Sequence, residues 1–223
     1  MIIGIVGQVS QVRDSQIPRP SDCGNGKTNL MVSMAYHQFR TRGRKVITNF
    51  HTKYPGSDNW NCTWSEFMTA QEIFEHFLDP EYDDALVCIS ELSGILHSAA
   101  RSSKTIQWVD NNLNQRRKAG HDLIWDAQRW MSNDKILRDK TDYIYVPVKF
   151  HCVYDIRTQN WIPTTQCPKD ICDEKHLILV WQDFPAPDPE DALTPIKILH
   201  AWEIGELYDT KERITDQTLH APA

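Results

Sequence analysis

The residues best suited to chemistry are Gly24-Asn25-Gly26-Lys27-Thr28, a glycine-rich turn that runs into an apolar-periodic segment. Glycines let backbone N–H groups close around phosphates, Lys27 supplies a compact positive charge, and Thr28 offers a hydroxyl to Mg²⁺. With Asn29, the next residue, this stretch is assigned to nucleotide binding. The predicted ligand is a nucleoside triphosphate, and the alternative is a glycine turn that only caps a helix.

The front half of this phosphate-binding motif is interrupted. A complete P-loop has the form G-x-x-x-x-G-K-[ST] directly after a strand, but Ser21 stands at the first glycine position. The strand signal of residues 1–6 ends at Gly7-Gln8, and a polar run follows it. We interpret residues 9–23 as an insertion into the phosphate loop. Long surface loops cost little extra closure entropy, yet this insertion could alter nucleotide affinity.

Two further signals follow apolar strands. Ile89-Ser90-Glu91-Leu92 places Glu91 where P-loop ATPases carry the base that polarises the attacking water, and Ser90 where they carry a metal-positioning aspartate. Farther along, Gln128 ends the strand that begins at Leu123, and its amide could contact the γ-phosphate or orient the attacking water. The alternative for both residues is a solvated strand end. Their place at the carboxyl ends of α/β strands favours a catalytic role.

Strand and helix signals alternate along the first two thirds of the chain. This alternation predicts an α/β fold with a mainly parallel central sheet flanked by helices. We expect a core at residues 1–150 and a β-rich C-terminal extension at 151–223, packed on or continuing that core. Thr63 and Glu66 are expected to form a capping box at the second helix. The predicted strands are 1–6, 45–50, 85–89, 121–125, 143–150, 152–155 and 176–181, and the helices are about 27–42, 63–79 and 106–118.

Composition narrows the class of protein. The 223 residues carry a net charge of −6 and are 40% hydrophobic, which is typical of a globular protein with an adequate core. No apolar run approaches the ~20 residues of a membrane span, and the first strand lacks the basic start of a signal peptide. We therefore expect a cytoplasmic protein without a membrane span. The six cysteines form no C-x-x-C pair, so free thiols are expected, although Cys167, Cys172 and His151-Cys152 leave a zinc site open.

One segment is basic although the chain as a whole is acidic. Five cations oppose the single acid Asp110 between residues 101 and 118, namely Arg101, Lys104, Arg116, Arg117 and Lys118. This surface could meet nucleic-acid phosphates or a neighbouring subunit. Arg117 follows Leu113 by four residues and is expected on the inward stripe of its helix. The alternative is a solvated helix end, where cations favourably offset the helix dipole.

The order of these motifs resembles the HerA/FtsK superfamily of P-loop ATPases, in particular the viral genome-packaging ATPases and the zonular-occludens-toxin-like proteins. The segment from Glu91 to Asp142 carries the most specific part of this resemblance, and residues 207–212 carry a weaker similarity. The segments that carry the resemblance are Gly24 to Thr28, Ile89-Ser90-Glu91-Leu92, Ala99-Ala100-Arg101-Ser102-Ser103, 114–122, Ala127-Gln128 and 136–142. The interrupted P-loop and Ser90 depart from the family pattern and put the hydrolysis rate in doubt.

The resemblance implies a RecA-like fold, ATP with Mg²⁺, a ring homo-oligomer that is commonly hexameric, and movement of double-stranded DNA. Lys27 would contact the β- and γ-phosphates, Glu91 the attacking water, Gln128 the γ-phosphate, and Thr28 with Ser90 the metal. An arginine from one subunit completes the neighbour's site in such rings. The candidates for this role or for DNA contact are Arg101, Arg116, Arg117 and Arg138.

Three functions follow from these signals. The first is an ATP-driven DNA translocase, as in the packaging motor of a virus or related mobile element, acting in the host cytoplasm, with the tail positioned to recognise a capsid or portal protein. The second is a nucleotide-binding protein of virion assembly or extrusion that moves little DNA. The third is a small-metabolite kinase, but Arg138-Asp139-Lys140 is a poor substitute for its arginine-rich lid.

Overall fold

The computed structural model describes residues 1–8, 26–99, 103–129, 135–164, 175–184, 194–209 and 219. Within these ranges nine strands and six α-helices follow one another. The strands are β1 Ile2–Gln8, β2 Val46–Thr48, β3 Glu66–Phe67, β4 Leu86–Ile89, β5 Asp122–Arg129, β6 Tyr143–Asp155, β7 Asn160–Thr164, β8 His176–Phe184 and β9 Lys197–His200. The helices are α1 Lys27–Arg42, α2 Ala70–Glu75, α3 Leu92–Ala99, α4 Ser103–Gln115, α5 Lys135–Lys140 and α6 Ala201–Gly205.

All nine described strands belong to one sheet. Its order is β3-β2-β4-β5-β1-β6-β8-β9, and β7 pairs with the far end of β6. Pairing is parallel from β3 through β6 and antiparallel among β6, β7, β8 and β9. The predicted mainly parallel α/β sheet is therefore confirmed. Because parallel strands end at the same edge, β1, β4 and β5 bring their carboxyl ends together there.

Helices cover both faces of the sheet and bury two hydrophobic layers. Alternate residues of β1 point to opposite faces, so Ile2 packs in one layer and Ile3 in the other. Helices α2, α3, α4 and α5 pack on the face of Ile2, and α1 and α6 pack on the face of Ile3. No helix in the described part of the chain is long and apolar enough to cross a membrane.

The predicted capping box exists, but at other residues. Thr69, rather than Thr63, caps the second helix, and Glu72 reaches back to the backbone N–H of Thr69. The indole of Trp64 is buried and donates to the Leu207 carbonyl oxygen at 3.0 Å, and Glu66 lies in strand β3 beside β2. Burial of Trp64 therefore outweighs the local capping preference of Thr63. Helix α2 begins six residues later than predicted.

Several other elements differ from the sequence predictions. The sequence does not predict helices α3, α5 and α6 or strands β3, β7 and β9, and helix α4 ends at Gln115 rather than near Lys118. The predicted strands 143–150 and 152–155 form the single strand β6, which crosses the expected boundary at residue 150. Strands β8 and β9 continue the same sheet, and the division of the chain into two units stays a prediction.

The antiparallel part of the sheet extends past the carboxyl edge of the parallel strands. Tyr145 of β6 is level with Ile5, so the last ten residues of β6 run beyond the middle of β1. Ile178 of β8, opposite Lys149, lies above that edge. A Cβ atom added to Gly26 would come within 3.0 to 3.2 Å of the Ile178 side chain. Strand β8 therefore packs directly on the start of α1, where the phosphate motif ends.

Candidate active site

Helix α1 begins at the predicted nucleotide segment. Gly26 adopts a left-handed conformation with φ of 73°, which glycine tolerates without strain, and the sixteen-residue helix begins at Lys27. No acidic residue lies in the first turn. The first backbone N–H groups of α1 therefore keep the positive potential of a helix N-terminus. Lys27 adds a full charge at the same place, and its side chain is only 9% exposed.

Glu91 lies across from Lys27, directly after strand β4. Its carboxylate oxygen Oε1 is 3.6 Å from Lys27 Nζ and accepts a hydrogen bond from Gln128 Nε2 at 3.2 Å. The backbone of Glu91 is left-handed, with φ of 56°. Such a conformation costs a non-glycine residue about 1–2 kcal/mol and persists where surrounding contacts enforce it. The site thus brings together the three residues that the sequence predicts to be catalytic.

Asp126 of β5 enforces the conformation of Glu91. It is fully buried, and its Oδ1 atom accepts a hydrogen bond from the Glu91 backbone N–H at 2.6 Å. Its two carboxylate oxygens also lie 3.4 and 3.3 Å from Ser90 Oγ. Register explains this contact, because Ile89 pairs with Trp125 and Ser90 is the next residue along β4. Ser90 and Asp126 are therefore cross-strand neighbours on the face that α1 covers.

Two further residues anchor the site from outside the predicted motifs. Asn49, just after β2, accepts a hydrogen bond from the Ser90 N–H at 2.7 Å and donates to the Ser90 carbonyl oxygen at 3.1 Å. Tyr208, near the C-terminal end, donates from its hydroxyl to Asn29 Oδ1 at 3.3 Å. The end of β4 and the first turn of α1 are thus each held by a neighbouring element.

The buried charges of this edge influence one another. The pKa of Asp126 is raised to about 6. Burial is the largest cause, the nearby Lys27 ammonium opposes it, and the negative charge of Glu91 adds to it. Burial, together with the negative charge of Asp126, raises the pKa of Tyr208 to about 12. Near neutral pH the buried Asp126 is therefore ionised at a cost in folding free energy, and the buried Lys27 ammonium lies near it.

These groups suit a nucleotide with a divalent cation. The phosphates of the nucleotide would meet Lys27 and the N-terminus of α1, which together form an anion site. The oxygen atoms of Thr28, Ser90, Asp126 and Glu91 are the donor type that Mg²⁺ prefers. In the part of the chain that the structure describes, no group of three or more histidines, cysteines or acids could hold a metal by itself.

No protein-family model matches the chain, and no curated protein matches its sequence. Solved structures do match. The N-terminal domain of zonular occludens toxin from Neisseria meningitidis superposes with a TM-score of 0.51 at 21% identity, covering 93% of this chain and 98% of the toxin domain. The chain has a RecA-like P-loop NTPase fold. The fold expected from the motif order is therefore confirmed.

Two viral proteins are also similar in structure. The genome packaging NTPase B204 of Sulfolobus turreted icosahedral virus 2, in complex with AMPPCP, gives a TM-score of 0.43 at 15% identity, covering 83% of this chain and 94% of that protein. The DNA-packaging ATPase B204 of Sulfolobus turreted icosahedral virus gives a TM-score of 0.44 at 17% identity, covering 80% of this chain and 91% of that protein. The family resemblance predicted both groups of structural neighbours.

Within this P-loop NTPase fold, the three arginine candidates that the structure describes, Arg116, Arg117 and Arg138, lie away from the nucleotide edge. Arg116, just before β5, is buried and contacts Asp142 Oδ2 through Nη2 at 3.3 Å. Arg138, in α5, likewise precedes the start of β6. Six residues of strand separate the start of β5 from Gln128, or about 20 Å. These arginines are thus placed to act only on another molecule or as structural ion pairs.

One expectation about this basic segment is wrong. Arg117 is exposed, and Arg116 takes the buried position instead. Arg116 lies three residues after the buried Leu113, and its N–H still donates to the Asn112 carbonyl oxygen at 3.0 Å, so helical spacing places it on the inward side. Gly24, Asn25 and Arg101 lie outside the described residues. The functional roles assigned to all candidate site residues stay predictions.

Sequence reasoning missed Asp126 and Asn49. A signal for Asp126 was present, because it interrupts the apolar run of β5 on the same face as the buried Ile124. A charged residue at an inward strand position is expensive unless it has partners, so it marks a candidate site. Asn49 gave only the weaker signal of a polar residue at the carboxyl end of a strand.

Asp126→Asn is expected to stabilise the nucleotide-free protein at pH 8. The amide keeps an acceptor for the Glu91 N–H, but removes a buried charge whose raised pKa means that ionisation weakens folding. At about 1.4 kcal/mol per pKa unit the gain is on the order of 3 kcal/mol, or roughly 5–10 °C in Tm. In the wild type, ionised Asp126 lowers the free energy of unfolding at pH values above its pKa of about 6 in the folded protein. This destabilisation disappears as the pH falls toward 3.8, the pKa of Asp126 in the unfolded chain. The gap in Tm should therefore shrink as pH falls from 8 to 5.

Asp122→Asn is the matched control at the opposite end of the same strand. Burial raises the pKa of Asp122, but hydrogen bonds from Arg44 and the N-terminal ammonium group outweigh this and leave the pKa below its usual value. Its charge stabilises the fold above pH 4, so this variant should melt at a lower temperature than the wild type at pH 8. Thermal melts followed by circular dichroism test both signs. An unchanged or lower Tm for Asp126→Asn would contradict the expected cost of its charge.

Proposed function

We propose that this chain is an ATPase that moves double-stranded DNA, in the manner of the genome-packaging motor of a virus or related mobile element. The supporting observation is the carboxyl-edge cluster in which the Lys27 ammonium, at the start of α1, faces Glu91 at 3.6 Å. A cation for the phosphates and a carboxylate for the attacking water are therefore direct neighbours. Phosphoryl transfer is catalysed chiefly by such positioning and charge.

Each predicted residue receives a role in this proposal. Lys27 and the α1 backbone bind the phosphates, and Thr28 with Ser90 supports Mg²⁺. Glu91 polarises the attacking water, and Gln128, which holds Glu91 Oε1 at 3.2 Å, senses the γ-phosphate. The ion pair between Lys27 and Glu91 has to open when phosphates enter, because both groups need the same space. Glu91 would then be free to bind water.

The proposal extends to partners through the family resemblance. It includes a ring homo-oligomer, hexameric as is common in the superfamily, and a cytoplasmic location with capsid or portal contacts. An arginine at the amino edge of the sheet, such as the exposed Arg117, would reach a neighbouring subunit or the DNA. Lys118, also exposed, adds to the positive charge at that place. DNA binding through such cations should weaken steeply with salt.

A nucleotide-binding assembly or extrusion protein is the second candidate. Two observations favour it: Ser90 in place of the usual aspartate, and a Glu91 carboxylate already paired with Lys27. Both are compatible with tight nucleotide binding and slow turnover. Such a protein would switch between assembly states through binding rather than through repeated hydrolysis.

ATP hydrolysis by the purified full chain, with and without double-stranded DNA, separates these candidates. A rate that rises with DNA and falls again with added salt supports the motor. Tight ATP binding with slow turnover that DNA does not change supports the assembly protein. Absence of both ATP binding and hydrolysis would overturn the proposal as a whole. Light scattering of the same samples measures whether nucleotide drives ring formation.

A further inference from the structure

Strand β4 lacks the carboxylate that P-loop ATPases use to position the metal. We propose that Asp126, on the neighbouring strand β5, supplies this carboxylate and positions the hydrated Mg²⁺ of the bound nucleotide. The inference rests on the proposed nucleotide-binding function and assigns a residue that none of the sequence motifs includes. It makes Ser90 a hydrogen-bonding neighbour of the metal-positioning group rather than a weak substitute for it.

The first argument is geometric. Ser90 and Asp126 are cross-strand neighbours on one face, and the Asp126 carboxylate oxygens lie 3.3 and 3.4 Å from Ser90 Oγ. An aspartate at position 90 would project its own carboxylate from the same spot toward the same space. The carboxylate is thus carried by β5 instead of β4, but it lies close to the place that an aspartate at position 90 would fill.

The second argument is proximity to the phosphate segment. Strand β5 lies between β4 and β1, and Asp126 pairs with Ile5 of β1. The face that carries Asp126 is covered by α1, which begins at Lys27 and Thr28. Asp126 therefore stands one strand nearer than Ser90 to β1, the strand that precedes the phosphate segment in the chain. In this proposal the Thr28 hydroxyl would bind the metal, and the Asp126 carboxylate would hold water molecules of its hydration shell.

The third argument is the balance of charge around a fully buried group. The described charged groups that act on Asp126 are Lys27, from α1, and Glu91, after β4, while Tyr208 faces it as a neutral phenol. Two carboxylates thus share one ammonium group. Asp126 and Lys27 are buried and Glu91 is partly exposed, so among the described residues the three groups carry a net charge of −1 around a buried carboxylate. A divalent cation that enters with the nucleotide phosphates would supply the missing compensation.

A purely structural role for Asp126 is the competing explanation. Its Oδ1 accepts from the Glu91 N–H at 2.6 Å and so holds the left-handed turn at Glu91. Asparagine keeps this acceptor and a polar atom near Ser90 Oγ, but carries no negative charge. Asp126→Asn therefore preserves the structural role and removes the proposed metal role.

The test measures how strongly Mg²⁺ tightens the binding of a fluorescent ATP analogue to the full chain, by titration with Mg²⁺ or with EDTA. We expect Asp126→Asn to reduce this Mg²⁺ effect by about 10–100-fold, the usual range for groups that orient a metal's ligands. The double variant Ser90→Asp/Asp126→Asn, which returns the carboxylate to β4, should recover it. Asp122→Asn, on the same strand at the opposite edge, should leave the effect unchanged. Thermal melts without nucleotide confirm that each variant is folded.

The outcomes separate this inference from the proposed function. If the wild type binds the analogue tightly only with Mg²⁺ and Asp126→Asn behaves in the same way, the inference is overturned and the nucleotide function stands. If Asp126→Asn loses the effect and the double variant does not regain it, the inference is also overturned. If the wild type binds no nucleotide with or without Mg²⁺, the proposed function itself fails. Loss in the single variant with recovery in the double variant supports both.

Discussion

Lys27→Ala is expected to weaken ATP binding by about 10²-fold and to remove hydrolysis. The ammonium group is the buried cation at the start of α1, and its side chain is only 9% exposed. A hydrogen bond to a charged group contributes up to ~3 kcal/mol, which corresponds to about two powers of ten in Kd. The variant also leaves Glu91 and Asp126 without their shared cation, so phosphates would enter a negatively charged site. Titration with a fluorescent ATP analogue measures the loss of affinity.

The matched control for this variant is Lys118→Ala. Lys118 is exposed and lies in the turn before β5, at the opposite edge of the sheet. The Lys118→Ala variant should bind the ATP analogue with wild-type affinity. Thermal melts of both variants separate loss of the site from loss of the fold. Wild-type affinity in Lys27→Ala would mean that α1 is not the phosphate site.

Glu91→Gln is expected to reduce ATP hydrolysis by about 10²–10⁴-fold, the range lost with a general base, while ATP remains bound. The amide cannot accept a proton from the attacking water, but it matches the carboxylate in size and retains an acceptor for Gln128. Removing the ion pair to Lys27 also frees the ammonium group for phosphate, so affinity should stay equal or increase. Hydrolysis under single-turnover conditions and the binding titration measure the two effects separately.

Glu75→Gln provides the control for charge removal at a surface site. Glu75 is exposed in α2 and bonds only its own helix neighbour Gln71 among the contacts described for it. The Glu75→Gln variant should hydrolyse ATP at the wild-type rate. A Glu91→Gln protein with wild-type turnover would remove Glu91 from the mechanism and leave another group to be found as the base.

The local signals of the nucleotide edge were sufficient to predict its parts. Strand β1, helix α1 and strand β4 follow from hydrophobic periodicity and from the glycines before Lys27, since both are properties of short segments. Their meeting at one edge follows from parallel pairing alone. The sequence therefore predicts that Lys27 and Glu91 share one edge of the sheet, and the structure adds their direct contact at 3.6 Å.

Features that depend on register or on distant packing were not predictable in this way. Asp126 is important because it stands opposite Ser90, and a shift of β5 by one residue would turn it to the other face. Helix α2 was placed six residues early because two Thr-x-x-Glu patterns occur, and the choice between them depends on Trp64 bonding to Leu207, 143 residues away. Long-range contacts thus decided what local preference left open.

The left-handed backbone of Glu91 has a practical consequence for protein engineering. Glycine at this position would relieve about 1–2 kcal/mol of strain, and Asp126→Asn would remove a buried charge. Neither change would disturb the hydrophobic layers of the sheet. A laboratory selection for heat resistance alone is therefore expected to enrich substitutions at these two positions, and under the proposed roles of Glu91 and Asp126 the thermostable variants would lose activity. Libraries built on this chain should keep both residues fixed, or screen for nucleotide binding in every round.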